Sequence, residues 1–474
     1  MSGKKVGLLA AISVIVGNAV GSGIFTTTGF LARDVGNPLV ILMMWVTAGV
    51  VVLCGVLTYY RLHLKWPESG GEFVYITKGF GPLAGFLSGW ASFVFGFGAA
   101  IAASAISFGY FFDSAVSSFI QLDIATDPAI QLLSDKRESE SFKVVNPSYL
   151  AVGLVLLVTY CHSKSVSLSG QFQFFLTLLK VVFILTLFLF GMSEIYQDYT
   201  STDTTTHVGY FEKNFVQGSS SSVSFSDIAV GMVFIMYAYS GWNAANYISE
   251  EIENPKKNML TAMVVSTLSI VVLYVFLNIV YLSALPVSEL AAAPIVPVAE
   301  KALRALLGEG VSIAFCAMLC VSIVSSISAM VWVGPRVYLK MAQYSSKVPK
   351  RLASKNNQGV PVNAMWAQTV WAVLLCLSGT VENILLFSGL PLLLFSLLAV
   401  CSSFQITFPD DSLFKFLFYR ACSLIFIVCV LFSIFIVFKE KPLISIISIL
   451  VLSLGALVYF FSDFRALIYR NYNN

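Results

Sequence analysis

Twelve stretches of this chain are long and apolar enough to cross a lipid bilayer, and nothing else in the sequence restricts its fold so strongly. They lie near 7–32, 37–60, 81–112, 148–166, 170–192, 226–248, 259–284, 309–341, 362–379, 383–404, 413–437 and 443–463. A bilayer core takes about 20 helical residues, and in hydrocarbon each backbone N–H and C=O must be satisfied inside the protein. Segments of this length predict an all-α integral membrane protein with 12 transmembrane helices. The composition agrees: 57% of the 474 residues are hydrophobic, 11% are charged, and the mean hydropathy is +0.83, far outside the soluble range.

An even number of spans puts both termini on one side of the membrane. Of the 28 Lys and Arg, 18 fall in the loops on that side, 9 fall opposite, and Lys180 falls inside a span, which predicts cytoplasmic termini. The basic residues are scattered over juxtamembrane loops, so the net charge of +3 implies no nucleic-acid partner. Lys4 and Lys5 lead into a full span without a small-residue cleavage site and read as the start of an uncleaved anchor. The eight cysteines sit inside spans or at their edges, and no structural disulfide is expected. Cys316 and Cys320, one helical turn apart with no histidine nearby, read as small core residues rather than a metal pair. His63, His162 and His207 show neither metal-ligand spacing nor a triad, so neither metal, cofactor nor enzyme activity is expected.

Two spans are interrupted. The first carries Gly17-Asn-Ala-Val-Gly-Ser-Gly-Ile-Phe25 near its middle, and the sixth carries Tyr237-Ala-Tyr-Ser-Gly-Trp-Asn243. Glycine is a poor helix residue unless the backbone opens there, and an opened backbone at membrane depth is tolerated where it lines a protein cavity. Small residues four apart, such as Gly17 and Gly21, also serve close helix packing. Breaks at corresponding positions of two halves are the pattern of a transporter binding site. The halves run about 7–192 and 226–404, giving a transport core over 1–404, with 405–474 holding two extra C-terminal helices.

Several motifs then occur in order. Gly21-Ser-Gly-Ile-Phe25, Pro67-Glu-Ser-Gly-Gly-Glu-Phe-Val-Tyr75, Tyr237-Ala-Tyr-Ser-Gly-Trp-Asn243 with Glu250-Glu-Ile-Glu-Asn-Pro255, Gln173 and Lys180, Gly334-Pro-Arg336 and Gly359-Val-Pro-Val-Asn363 resemble the amino acid/polyamine/organocation permeases. Within them the chain is similar to bacterial permeases of the L-type amino acid transporter kind. The resemblance implies a LeuT-like fold, a 5+5 inverted repeat with helices 1 and 6 broken and substrate held between the breaks. No cysteine lies between spans three and four, where the animal L-type transporters join a glycoprotein, so no disulfide-linked heavy chain is implied. Ser328 stands near the place of a frequent family asparagine, and Met341-Ala-Gln-Tyr-Ser-Ser346 departs from the family's usual turn.

An amino acid brings a carboxylate and an ammonium together, so its site must offer donors and acceptors side by side. A helix restarting beyond Gly21 would offer the N–H groups of Ser22, Gly23 and Ile24 at its positive end. A half-helix ending near Tyr237, Ala238 and Ser240 would offer carbonyl oxygens to the ammonium. By resemblance Tyr237 is an external lid, although an aromatic in an apolar span also serves packing. Asn243 is either a substrate contact or an interhelix hydrogen bond.

An ammonium inside a span must pair or lose its proton. In the resembling proton-coupled members a lysine at the place of Lys180 stands where sodium sits in sodium-coupled ones, which puts it near Gly17 and Val20, with Ser325 or Ser326 close. It either titrates during the cycle or stands as a fixed positive charge. Glu250 and Glu251, near basic residues such as Arg61 and Lys65, read as a cytoplasmic gate of ion pairs or as a solvated loop edge.

Together these readings predict an amino acid permease of the cell membrane, taking neutral or broad-range substrates by proton symport or exchange. A cationic amino acid or polyamine antiporter is the alternative within transport. A sensor that binds amino acids without moving them is the alternative outside it.

Overall fold

The computed structural model describes residues 7–126, 146–200, 214–215, 223–292, 298–378, 381–409 and 411–472. Among them there is no β-strand, and nine helices are long and apolar enough to cross a membrane. Three shorter apolar helices, Pro147–His162, Phe225–Ala238 and Val362–Ser378, coincide with the fourth, sixth and ninth expected spans. The protein is thus an all-helical, multi-pass membrane protein.

The first span is two helices, α1 (Leu8–Ala19) and α2 (Ser22–Asp34), separated at Val20 and Gly21. The second is α3 (Pro38–Lys65), started by Asn37, whose side chain accepts the Val40 N–H at 3.1 Å, and by Pro38 in the first turn. A short helix α4 (Glu72–Phe80) fills the loop that follows. The third span is α5 (Pro82–Ala91), a π-helical segment Ser92–Ala99 and α6 (Ala100–Thr126). Then come α7 (Pro147–His162) and α8 (Val166–Thr200).

The sixth span begins as α9 (Phe225–Ala238), whose break makes it short. It resumes as the single turn α10 (Ala244–Tyr247) and leads to α11 (Pro255–Ala284) and the short α12 (Val287–Ala291). The eighth span lies in α13 (Val298–Val333), bent at Gly308, and runs on into α14 (Pro335–Tyr344). Next are α15 (Val362–Ser378), α16 (Val381–Ser402, with Pro391 inside), α17 (Leu413–Glu440) and α18 (Pro442–Tyr472).

α1 packs on α8, α11 and α13, and α13 packs on α6. The two broken helices are therefore enclosed by other helices, which is what exposed backbone at this depth requires. α17 lies against α3, α9 and α16, and its Phe426 is so close to Gly55 that a Cβ there would be 2.8 Å from the ring. α18 is fastened by Trp90, whose indole N–H donates to the Val451 carbonyl at 3.0 Å. The C-terminal helices thus pack on the core.

Candidate functional site

The breaks in spans one and six interlock backbone to backbone. A Cβ on Gly23 would lie 2.7 Å from the Ala238 Cα, and a Cβ on Gly241 would lie 2.7 Å from Asn18 Nδ2 and 3.0 Å from the Ala19 N. Gly241 also has φ +97°, in the region that strains residues with side chains. At the seam, the Tyr274 hydroxyl of α11 lies 2.7 Å from the Ala19 carbonyl and 2.9 Å from the Ala238 carbonyl, so one phenol serves the last carbonyl of both α1 and α9. Ser22 Oγ and Ser104 Oγ share a hydrogen bond of 3.2 Å between α2 and α6. Tyr274→Phe leaves both carbonyls without this donor in a fully buried place. At about 1–3 kcal/mol for a buried acceptor left unmade, the expected result is a lower thermal midpoint of the detergent-purified protein, measured by scanning fluorimetry.

A cavity opens on one side of this seam. Asn18, Tyr237, Ser240, Asn243, Tyr247 and Glu72 line it, with Gly96 and Phe97 of the π-helical segment opposite. Three of the expected contact residues, Tyr237, Ser240 and Asn243, are therefore in its wall. Gly21, Ser22, Gly23 and Ile24 are not: they are buried outside the lining, because the tip of α2 is pressed onto Ala238. Ala238 likewise stands behind the wall, its carbonyl engaged by Tyr274. Asn243 donates from Nδ2 to Glu72 Oε1 at 3.0 Å and to the Tyr247 hydroxyl at 3.3 Å.

Lys180 lies on the other side of α1. Its buried ammonium donates to the Gly17 carbonyl at 3.1 Å, to Ser326 Oγ at 2.7 Å and to the Val20 carbonyl. Ser326 Oγ also donates to Val20 O at 2.6 Å. These oxygens belong to the open turn of span one and to α13, so the ammonium fastens the broken helix to spans five and eight. Ser325 is not one of its partners. Ser325 faces Gln173 and Thr177 instead, with Gln173 Nε2 donating to its carbonyl at 3.2 Å. Successive helix residues point about 100° apart, so only one of the two serines meets the ammonium. Gly17 is needed there for closeness as well, since a Cβ would lie 2.2 Å from Gln173 Nε2.

Glu250 and Glu251, just beyond the resumed span six, are paired, but with α14 rather than with Arg61 and Lys65. Arg336 holds Glu251 in a fork at 2.7 and 3.1 Å, and Lys340 holds Glu250 at 2.8 Å. Ser69, in the loop between spans two and three, accepts the Glu250 N–H at 2.9 Å. Arg61 is engaged elsewhere: its guanidinium pairs with Asp411 and lies 3.8 Å from the centre of the Phe408 ring.

Comparison with known proteins decides what kind of molecule carries this geometry. The profile of the amino acid permease family matches residues 6–461. The chain belongs to that family. The human cystine/glutamate transporter is 28% identical to this permease over 410 residues, covering 86% of this chain and 75% of that one. The mouse Asc-type amino acid transporter 1 is 27% identical over 296 residues, 60% of this chain and 49% of the relative. The rabbit b(0,+)-type amino acid transporter 1 is 29% identical over 287 residues, 60% and 53%. The permease is a transporter of amino acids and not an enzyme.

Four parts of the site escape a reading of the sequence. The π-helical segment is hinted at only by Gly96 and Gly98 in an apolar run, although such segments recur at functional sites. Tyr274 is one aromatic among many. Asn18 was within the glycine-rich run, yet only the structure shows its Oδ1 buried without a partner beside the cavity. Glu72 lies in a loop motif and had no evident reason to enter the cavity.

Proposed function

We propose that this permease has the LeuT-like arrangement of twelve spans, with inverted repeats over about 7–192 and 226–404, two further C-terminal helices and both termini cytoplasmic. It moves neutral or broad-range amino acids across the cell membrane by alternating access, without sodium and without a disulfide-linked partner. The observation that carries the reading is the position of the Lys180 ammonium, held by two carbonyls of the opened first span and by the Ser326 hydroxyl. Two carbonyls and a hydroxyl are the hard oxygen donors a small cation takes, and here a tethered cation occupies them. The broken helices are fastened by a side-chain amine of the protein itself, so a dissolved metal ion is not required for substrate to bind. Substrate sits at the seam, its ammonium toward the Tyr237–Ser240 turn and its carboxylate toward the N–H groups of Ser22, Gly23 and Ile24 once the tip of α2 withdraws from Ala238. Tyr237 covers it from outside.

The test is uptake of a panel of labelled amino acids by proteoliposomes, with and without sodium, a proton gradient and internal amino acid. Uptake of neutral amino acids that ignores sodium supports the proposal. Dependence on the proton gradient then identifies symport, and dependence on internal amino acid identifies exchange. Binding without uptake points to a sensor, and uptake of lysine or putrescine alone sinks the neutral assignment.

The pairs Arg336–Glu251 and Lys340–Glu250 act in this scheme as the cytoplasmic gate, tying the end of span six to span eight. Partly exposed pairs contribute about 1 kcal/mol. Arg336→Ala is accordingly expected to shift the closed-to-open ratio on the cytoplasmic side about fivefold. Maleimide labelling of a cysteine placed at Ser396, a residue of the cavity wall, in a Cys161→Ser background, reads that shift as faster modification.

A further inference from the structure

The cavity beside the seam contains a carboxylate that the transport scheme does not use. Glu72 is 5% exposed, and its Oε1 accepts both the Tyr59 hydroxyl at 2.7 Å and Asn243 Nδ2 at 3.0 Å. Its Oε2 takes no hydrogen bond among the described residues, and Glu72 is part of the cavity wall. Asn18 Oδ1, also buried and unpartnered, belongs to the same wall. No Lys, Arg or His contributes to that wall among the described residues. A cavity with two unmade acceptors, one of them an acid, and no fixed cation is built to receive a cation that carries several N–H donors.

We propose that Glu72, with Asn18, forms a subsite on the cytoplasmic side of the seam that binds the α-ammonium group of the substrate as it leaves the central site. The inference rests on the proposed amino acid transport and adds a second station to it. Glu72 belongs to the loop after span two, so the subsite lies on the side of the Arg336–Glu251 and Lys340–Glu250 pairs. Asn243 links the two stations, because it follows the turn Tyr237–Ser240 and donates to Glu72. An ammonium released from the span-six carbonyls would exchange them for a carboxylate without passing through an apolar stretch.

The surroundings make the carboxylate responsive to cytoplasmic pH. Burial raises its pKa to about 7, against the opposing hydrogen bonds from Tyr59 and Asn243. The titratable groups facing it are Tyr59 of α3 and Tyr247 of α10, while Tyr75, on the same helix as Glu72, gives its hydroxyl to Asn246 Oδ1 at 2.8 Å. His63, one turn beyond Tyr59 on α3, makes no hydrogen bond among the described residues, and Arg336 and Lys340 of α14 are taken by Glu251 and Glu250. A carboxylate with a raised pKa is ionised above that value, so the subsite holds an ammonium at high cytoplasmic pH and loses it as pH falls through about 7.

The test compares inside-out with right-side-out membrane vesicles, measuring half-saturation for alanine and for lysine. In the wild type, half-saturation from the cytoplasmic face is expected to rise about tenfold between pH 8 and pH 6, following the ionised fraction. In Glu72→Gln it is expected to be about tenfold weaker than wild type at pH 8 and flat with pH, for both amino acids. Half-saturation from the external face should stay within twofold. Tyr59→Phe, which keeps the carboxylate but removes a hydrogen bond that favours its ionised form, should retain the pH dependence on the cytoplasmic face with its midpoint moved upward. A flat wild-type pH profile on the cytoplasmic face overturns the proposal without any variant. So does a Glu72→Gln effect that is equal on both faces, or one confined to lysine, which would assign the subsite to a side-chain cation. Wild-type vesicles that take up no amino acid overturn the transport reading itself, a result separable from failure of the subsite alone.

Discussion

Lys180→Met is expected to stop transport. The ammonium is buried with three oxygen partners, two of them carbonyls of the opened turn of span one. Methionine fills a similar volume but donates nothing, so the Gly17 carbonyl loses its side-chain donor and the broken helix loses its fastening to spans five and eight. A buried acceptor left unmade costs about 1–3 kcal/mol, which at its upper end corresponds to a fall of about 100-fold in the population holding the productive geometry. Initial uptake into proteoliposomes should drop by that factor, while size-exclusion chromatography still shows a folded protein. Lys180→Arg should not restore it, because a planar guanidinium cannot match acceptors arranged around a single ammonium. Uptake within threefold of wild type in Lys180→Met would remove Lys180 from the transport cycle.

Gly241→Ala carries the second large effect, through backbone rather than charge. At φ +97° an alanine is strained by about 1–2 kcal/mol, and its methyl would stand 2.7 Å from Asn18 Nδ2 and 3.0 Å from the Ala19 N. Overpacking against the backbone at Asn18 and Ala19, 3.0 Å away, adds about 1–3 kcal/mol. Gly23→Ala tests the same seam from the opposite helix with no change of dihedral region, since its methyl would meet the Ala238 Cα at 2.7 Å. Both variants are expected to lose amino acid binding by about 100-fold, measured by scintillation proximity. Gly153→Ala is the control. Its Cβ would meet nothing within 4 Å on an exposed helix face, so binding should stay within twofold.

Much of this architecture could be read from the residues, because it depends on chemistry between near neighbours in the chain. Apolar runs give spans, and glycine clusters give breaks at Val20–Gly21 and after Ala238. A solitary lysine in an apolar helix has to meet oxygen, and Lys180 does so at Gly17, Val20 and Ser326. Asn37 before Pro38 announces a helix start, while Asn254 before Pro255 makes no side-chain cap and instead takes φ 43°. The two dipeptides look alike, and the tight turn from span six into α11 separates them.

What remained illegible depends on which faces meet across long stretches of chain. Ser326 rather than Ser325 reaches Lys180 because of the rotation of α13 about its axis, which follows from packing against α6, α8 and α1. Glu251 finds Arg336 and Glu250 finds Lys340, some 85–90 residues away, while Arg61, farther off in the chain, is already engaged by Asp411. Glu72 enters the cavity only because α4 folds back beneath the span-six break, within reach of Tyr59 and Asn243. The apolar pattern and the glycines thus specify where helices run and where they open, since each residue pays its own local cost of being in lipid. Which side of the opened seam holds the cavity, and which polar groups face it, follow from how the helices pack, because those contacts join residues that no short pattern in the chain relates.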